Sequence, residues 1–221
     1  MKTLGVLGGM GPAATLDFLA RLQAETPAAR DQDHIRVLVD LNPGVPDRNA
    51  GDAAPGPALA AMARGLEGAG AQVLAIACNT AHAWADEVRA ACALPLIDMI
   101  DCAVDEARRT GARRVGVLGT VLARDLYGQR LRAAGLEPVA LSPESQARFM
   151  DLLHAIKAGG RGEAERAGMR DLALSLAGAE AVIAGCTEVP LVLDAAGLPV
   201  PLIDAGAALA RRCVAVCRDQ P

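Results

Sequence analysis

Two short segments carry the side chains best suited to chemistry: Ala77-Cys78-Asn79-Thr80 and Gly185-Cys186-Thr187-Glu188. Each cysteine directly follows an apolar run and precedes a helical stretch, so each is expected at a strand end and a helix N-terminus. There the helix dipole and free N–H groups favour the thiolate and lower a thiol pKa from its reference near ~8.5. Asn79, Thr80 and Thr187 add side-chain donors beside the sulfurs. A thiolate on one side of a carbon acid and a thiol on the other can remove a proton from one face and return one to the opposite face. Two like residues can exchange these roles for the two enantiomers. Free cysteine is also among the most buried residue types, but a core role does not account for two cysteines at equivalent points of a repeat. Cys92, Cys102, Cys213 and Cys217 fall in expected helices outside the repeat and read as packed or partly exposed thiols.

The repeat positions this pair. Gly5-Val6-Leu7-Gly8 matches Gly116-Val117-Leu118-Gly119 at an offset of 111, the two cysteines lie 108 apart, and Pro95-Leu96-Ile97-Asp98 recurs as Pro201-Leu202-Ile203-Asp204 at an offset of 106. Three near-equal offsets in one order indicate an internal duplication. Short apolar runs alternate with helical stretches, which reads as α/β with parallel-rich sheets flanked by helices. Strands are expected at 4–7, 35–41, 73–77, 96–97, 115–118, 139–141, 182–185 and 202–203. Helices are expected at 13–25, 57–69, 81–92, from about 98, and at 145–157, 163–176 and 207–217. The expected organisation is an N-terminal half over 1–110, a C-terminal half over 111–205 and a closing helix over 206–221. The halves should be pseudo-two-fold related around a shared cleft, because ligands of open α/β sheets bind beyond the carboxyl ends of the strands.

Composition narrows the function classes. The 221 residues are long enough to bury a real core, and with only four aromatic residues that core must be aliphatic. A net charge of −4 with no basic run argues against nucleic acid. No apolar stretch approaches a membrane span, and no signal peptide is expected, so the chain reads as cytoplasmic with reduced cysteines. No cysteine or histidine cluster has zinc spacing, so no metal is expected.

The motifs Gly8-Gly9-Met10-Gly11-Pro12, Asp31-Gln32-Asp33-His34, Pro46-Asp47-Arg48, Cys78-Asn79-Thr80-Ala81-His82 and Gly185-Cys186-Thr187-Glu188 run through nearly the whole chain. Together they resemble the cofactor-independent aspartate/glutamate racemase family, on its aspartate-racemase side. Glutamate racemases usually open with an Asp-Ser glycine turn and follow the second Cys-Thr with His, and this chain departs from both. The resemblance implies an isomerase that inverts amino acids without pyridoxal phosphate or any other cofactor. It implies Cys78 and Cys186 as the acid/base pair and a homodimer. Aspartate is the first substrate, with glutamate or a broader amino-acid range next. It further implies Arg48 on a substrate carboxylate with Asp47 steadying its loop, and Lys157 as a second cation. Met10, Asn79, Thr80, Thr187 and Glu188 complete the implied substrate site. A guanidinium fork suits two-point carboxylate binding.

Alternatives stay open at several positions. Lys157 could simply complement a helix dipole. His82, four residues after Cys78, could tune that thiol or be a packed histidine. Glu188 could orient the Cys186 loop or cap a helix, and Asp40 and Asn42 could face the cleft. The segment Gly119–Tyr127 is shorter than the family pattern and gains Arg124, which bears on substrate identity. Three rival readings remain. Gly9-Met10-Gly11-Pro12-Ala13-Ala14 fits a dinucleotide fingerprint, although Pro12 removes a phosphate-binding N–H. A maleate-type isomerase would keep both cysteines, whereas a related decarboxylase keeps one. A thiol redox sensor would require the sulfurs within disulfide reach.

Overall fold

The computed structural model describes residues 1–49 and 54–219. The chain forms two compact units, Met1–Met99 with Gly206–Pro221, and Ile100–Ala205. The division falls at Met99, not near Thr110-Gly111, and the closing helix groups with the first unit. Long-range bonds tie it there: Lys2 donates its N–H to Cys217 and its ammonium to Asp219, and Arg218 bonds the carbonyls of Pro27 and Asp33.

In the first unit the order is β1 (Leu4–Gly8), α1 (Pro12–Glu25), β2 (Val37–Leu41), α2 (Gly56–Gly68), β3 (Val73–Ile76), α3 (Ala85–Ala91) and β4 (Leu96–Ile97). The second unit contains α4 (Met99–Arg109) apart from its first residue, β5 (Arg114–Leu118), α5 (Val121–Ala133), β6 (Glu137–Val139), α6 (Pro143–Lys157), α7 (Glu163–Leu174), β7 (Ala181–Ala184) and β8 (Leu202–Asp204). Helix α8 (Ala205–Cys217) returns to the first unit. No helix of the described residues is long and apolar enough to cross a membrane.

The sheets are parallel and share one topology, β2-β1-β3-β4 and β6-β5-β7-β8. Strands β1, β3 and β7 are buried at every residue, as parallel strands covered on both faces must be. The duplication reaches the packing. A Cβ on Gly5 would lie 2.8 Å from Leu74 and crowd Leu66, and a Cβ on Gly116 would lie 2.8 Å from Leu176. Glycine at each central strand thus leaves room for the chain that leads into the third strand, at Leu66 of α2 and at Leu176 just past the end of α7.

Sequence periodicity missed two elements. The stretch 81–92 is not one helix but a 3-10 turn over Thr80–Trp84 followed by α3, leaving Cys92 just past its end. Helix α5 was not expected; Thr120 caps it by accepting from the Ala123 N–H.

The first glycine turn is conformationally demanding. Gly9 sits at φ +90, and a Cβ there would lie 2.5 Å from the Asn42 backbone. Its N–H donates to the Thr15 hydroxyl, which in turn donates to the Gly11 carbonyl. Gly9→Ala should therefore destabilise the fold by about 1–3 kcal/mol. Chemical denaturation checks this; a variant within about 0.5 kcal/mol of the parent would contradict it.

Candidate active site

In each sheet the chain leaves its first strand toward one neighbour and later returns on the other side, so the strand order reverses between β1 and β3 and between β5 and β7. At such a switch point the loops beyond the strand ends open side by side. The first unit places Gly9-Met10 after β1 and Cys78 after β3, with Met10, Val45 and Cys78 in one buried cluster. Cys78, Asn79 and Thr80 are all buried. Arg48 reaches the same loops. Its Nη1 donates to the carbonyls of Val45 and Pro46, and Nη2 to that of Met10. Three of the five guanidinium N–H groups are used in this way. Nε is buried without a partner among the described residues, so Nε and one N–H of Nη2 can still take an anion. Asp47 accepts from the Asn49 N–H and steadies the turn. Asn42 accepts from the Gly44 N–H.

His82 bonds the backbone of Cys78, not its sulfur. Nε2 accepts from the Met99 N–H at 3.0 Å, so the ring hydrogen sits on Nδ1, which donates to the Cys78 carbonyl at 2.9 Å. Burial lowers the His82 pKa, against the opposing charge of Asp98. The Asp98 carboxylate lies 3.8 Å from Nε2 and accepts from Arg89. Neutral His82 therefore braces the cysteine turn against the end of the first unit.

The second unit places Thr120 after β5 and Cys186 after β7. The Cys186 thiol donates to Glu188 Oε2 at 2.9 Å, and the Thr187 hydroxyl donates to the same oxygen at 3.2 Å. Only a three-residue 3-10 turn, Val189–Leu191, follows, so the expected helix-dipole stabilisation of a thiolate is not found. Instead burial pushes the Cys186 thiol well above its ordinary range, the Glu188 charge adds to this, and Lys157 pulls weakly the other way. Glu188 is 3 % exposed and its Oε1 has no partner among the described residues. Such a buried acceptor costs on the order of 1–3 kcal/mol, which a donor on a ligand would recover. Lys157 is exposed on the last turn of α6, which ends in a Schellman turn with Gly159 at φ +106 and Gly160 N–H bonded to Ala155.

Around Cys186 the structure adds residues that spacing did not reveal. A Cβ on Gly185 would lie 3.1 Å from the fully buried Tyr127 ring, and one on Gly119 3.0 Å from the Gly185 carbonyl. Gln146 donates to the Gly119 carbonyl. Arg124 pairs with Asp125. Gln146 and Thr15 both act on loop backbone across the fold or one helical turn away, and neither lies in a motif. Asp31 and Asp33 form an exposed 3-10 turn with Arg30 and join neither cysteine loop. Among the described residues no group of three His, Cys, Asp or Glu side chains is placed to hold a metal ion.

Residues 7–213 match the family model described as Asp/Glu/Hydantoin racemase. The chain is 28% identical over 220 residues to the broad specificity amino-acid racemase RacX of Bacillus subtilis, covering 96% of each protein. It superposes on the Picrophilus torridus aspartate racemase with a TM-score of 0.83 at 27% identity, covering 99% of this chain and 95% of that one. A glutamate racemase of Francisella tularensis, solved with D-glutamate, shares the fold at a TM-score of 0.72 and 21% identity, covering 99% of this chain and 81% of that one.

The His82 brace makes a pH prediction. The folded state holds His82 neutral while the unfolded chain titrates near ~6.5, so its contribution is full above that pH and is lost as pH falls below it. Melting curves of the parent and His82→Gln between pH 5 and 8 should show a steeper acid-side loss in the parent. Parallel curves would contradict the assignment.

Proposed function

The chain belongs to the Asp/Glu/hydantoin racemase family, and on that premise we propose that it inverts the α-carbon of an amino acid with Cys78 and Cys186 as a base and acid pair and no bound cofactor. The observation that carries this reading is the equivalence of the two cysteines. Each directly follows the third strand of its sheet at the switch point, in two units of identical strand order. The reaction requires the two sulfurs to meet the α-carbon from opposite faces.

The remaining donors fit a carboxylate and its developing charge. Arg48 offers Nε and Nη2 from a guanidinium already fixed to the Met10 turn, and fixed donors stabilise negative charge that grows as the proton leaves. Asn79, Thr80 and Thr187 supply short polar contacts near the sulfurs, and Lys157 a second cation. Asp47 steadies the Arg48 loop. We assign aspartate as the first substrate. The similarity to RacX, named as broad in specificity, supports a wider amino-acid range as the second reading. The working form is a homodimer in the cytoplasm, binding neither nucleic acid nor membrane.

The test is α-proton exchange. The protein is incubated in deuterated water, without added cofactor, with L- and D-aspartate, glutamate and several neutral amino acids. Loss of the α-signal in proton NMR together with inversion in chiral analysis is expected for aspartate and its closest analogues. Folded, reduced protein that exchanges none of them would overturn the reading and make maleate and related diacids the next panel.

A further inference from the structure

We infer that Cys186 rests as a thiol donating its hydrogen to Glu188, so that Cys186 is the resting proton donor, Cys78 the resting base, and Glu188 the positioning residue that separates their roles. The assignment of roles rests on the two-cysteine reading above; the state of the thiol does not.

The geometry carries it. Sulfur and carboxylate oxygen are 2.9 Å apart, and both side chains are buried. Cys186 belongs to a buried apolar cluster with Leu118, Phe149, Leu153 and Ile156. Two negative charges at that separation in apolar surroundings do not persist together, so one proton is held between them. In this contact the sulfur is the donor and the carboxylate oxygen the acceptor, so that proton stays on sulfur. The Thr187 hydroxyl donates to the same oxygen. The charged groups acting on Cys186 are Glu188 in its own turn and Lys157 at the end of α6. Lys157 is exposed and screened by solvent. At the matching positions after Cys78 stand Asn79 and Thr80, neither of them ionisable. His82 nearby is neutral and committed to backbone.

One turnover then balances as follows. The Cα–H bond breaks toward the Cys78 thiolate, and its electron pair stays on the α-carbon. The Cys186 S–H bond breaks and delivers its proton to the opposite face. Cys78 ends as a thiol and Cys186 as a thiolate beside Glu188. The neighbouring carboxylate makes that thiolate a strong base; the resting state returns when Cys78 releases its proton to water as Cys186 takes one up, or when the opposite enantiomer reacts in reverse, giving its α-proton to Cys186 and receiving the one on Cys78.

The experiment reads the thiols without turnover. Native, substrate-free protein is pulsed with iodoacetamide from pH 6 to 10, and the Cys78 and Cys186 peptides are quantified by mass spectrometry. The expected result is a lower pH midpoint for Cys78 than for Cys186. Glu188→Gln should lower the Cys186 midpoint by at least one pH unit and leave that of Cys78 in place, while Glu188→Asp, which keeps the charge, should move it less. Cys186 reacting at the lower pH in the native protein, or a Cys186 midpoint unmoved by Glu188→Gln, would overturn the inference. If Glu188→Gln does not fold, the order of midpoints in the native protein decides alone. The expected order in a protein that exchanges no α-proton would sink the racemase reading and leave the thiol assignment standing; reversed order in an active racemase would do the opposite.

Discussion

A parallel four-stranded sheet constrains where its chain can expose reactive groups. Crossovers of one hand carry the chain from the first strand to one neighbour and then back to the other side. The loops after the first and third strands are thereby left adjacent. Both units obey this constraint with the same strand order. The two cysteines, the glycine turn after β1 and the Thr120 cap after β5 all occupy the openings it creates. The rest of each unit holds those loops still: Gly5 lets α2 close on the sheet, Gly116 admits Leu176 just past α7, and Gly9 and Gly119 let neighbouring loops approach at backbone distance.

Within this shared frame the polar surroundings diverge. The first cysteine turn is fixed through its backbone by a neutral histidine between Cys78 and Met99. The second is fixed through the sulfur itself by a buried carboxylate. A duplicated fold therefore yields two cysteine turns held in different ways, one by His82 and the other by Glu188. Their burial makes each interaction count, since low dielectric strengthens a satisfied polar contact and penalises an unsatisfied one.

Much of this was legible in the sequence because it rests on local pattern. The paired Gly-Val-Leu-Gly strands, the cysteines after apolar runs and the Pro-Leu-Ile-Asp repeats located the strand ends and the α/β class. The family resemblance carried the racemase reading, and the family match and solved relatives bear it out. What escaped depended on contacts that spacing does not encode. The return of α8 to the first unit is set by Lys2 and Arg218 partners some 185 or more residues distant. The replacement of an expected helix by a 3-10 turn at Thr80 accompanies the bond from His82 to the Cys78 carbonyl. A helix dipole favouring the thiolate was expected at both cysteines; a 3-10 turn follows each of them, and at Cys186 burial and a neighbouring carboxylate push the thiol the other way.

The central claim is that two different residues serve the two faces of the α-carbon, and single-cysteine variants test it most directly. Cys78→Ser and Cys186→Ser would each be given separate L- and D-substrate in deuterated water. Neither variant should racemise, and each should exchange the α-proton of only one enantiomer, opposite for the two variants. Full racemisation by either single-cysteine variant would contradict it.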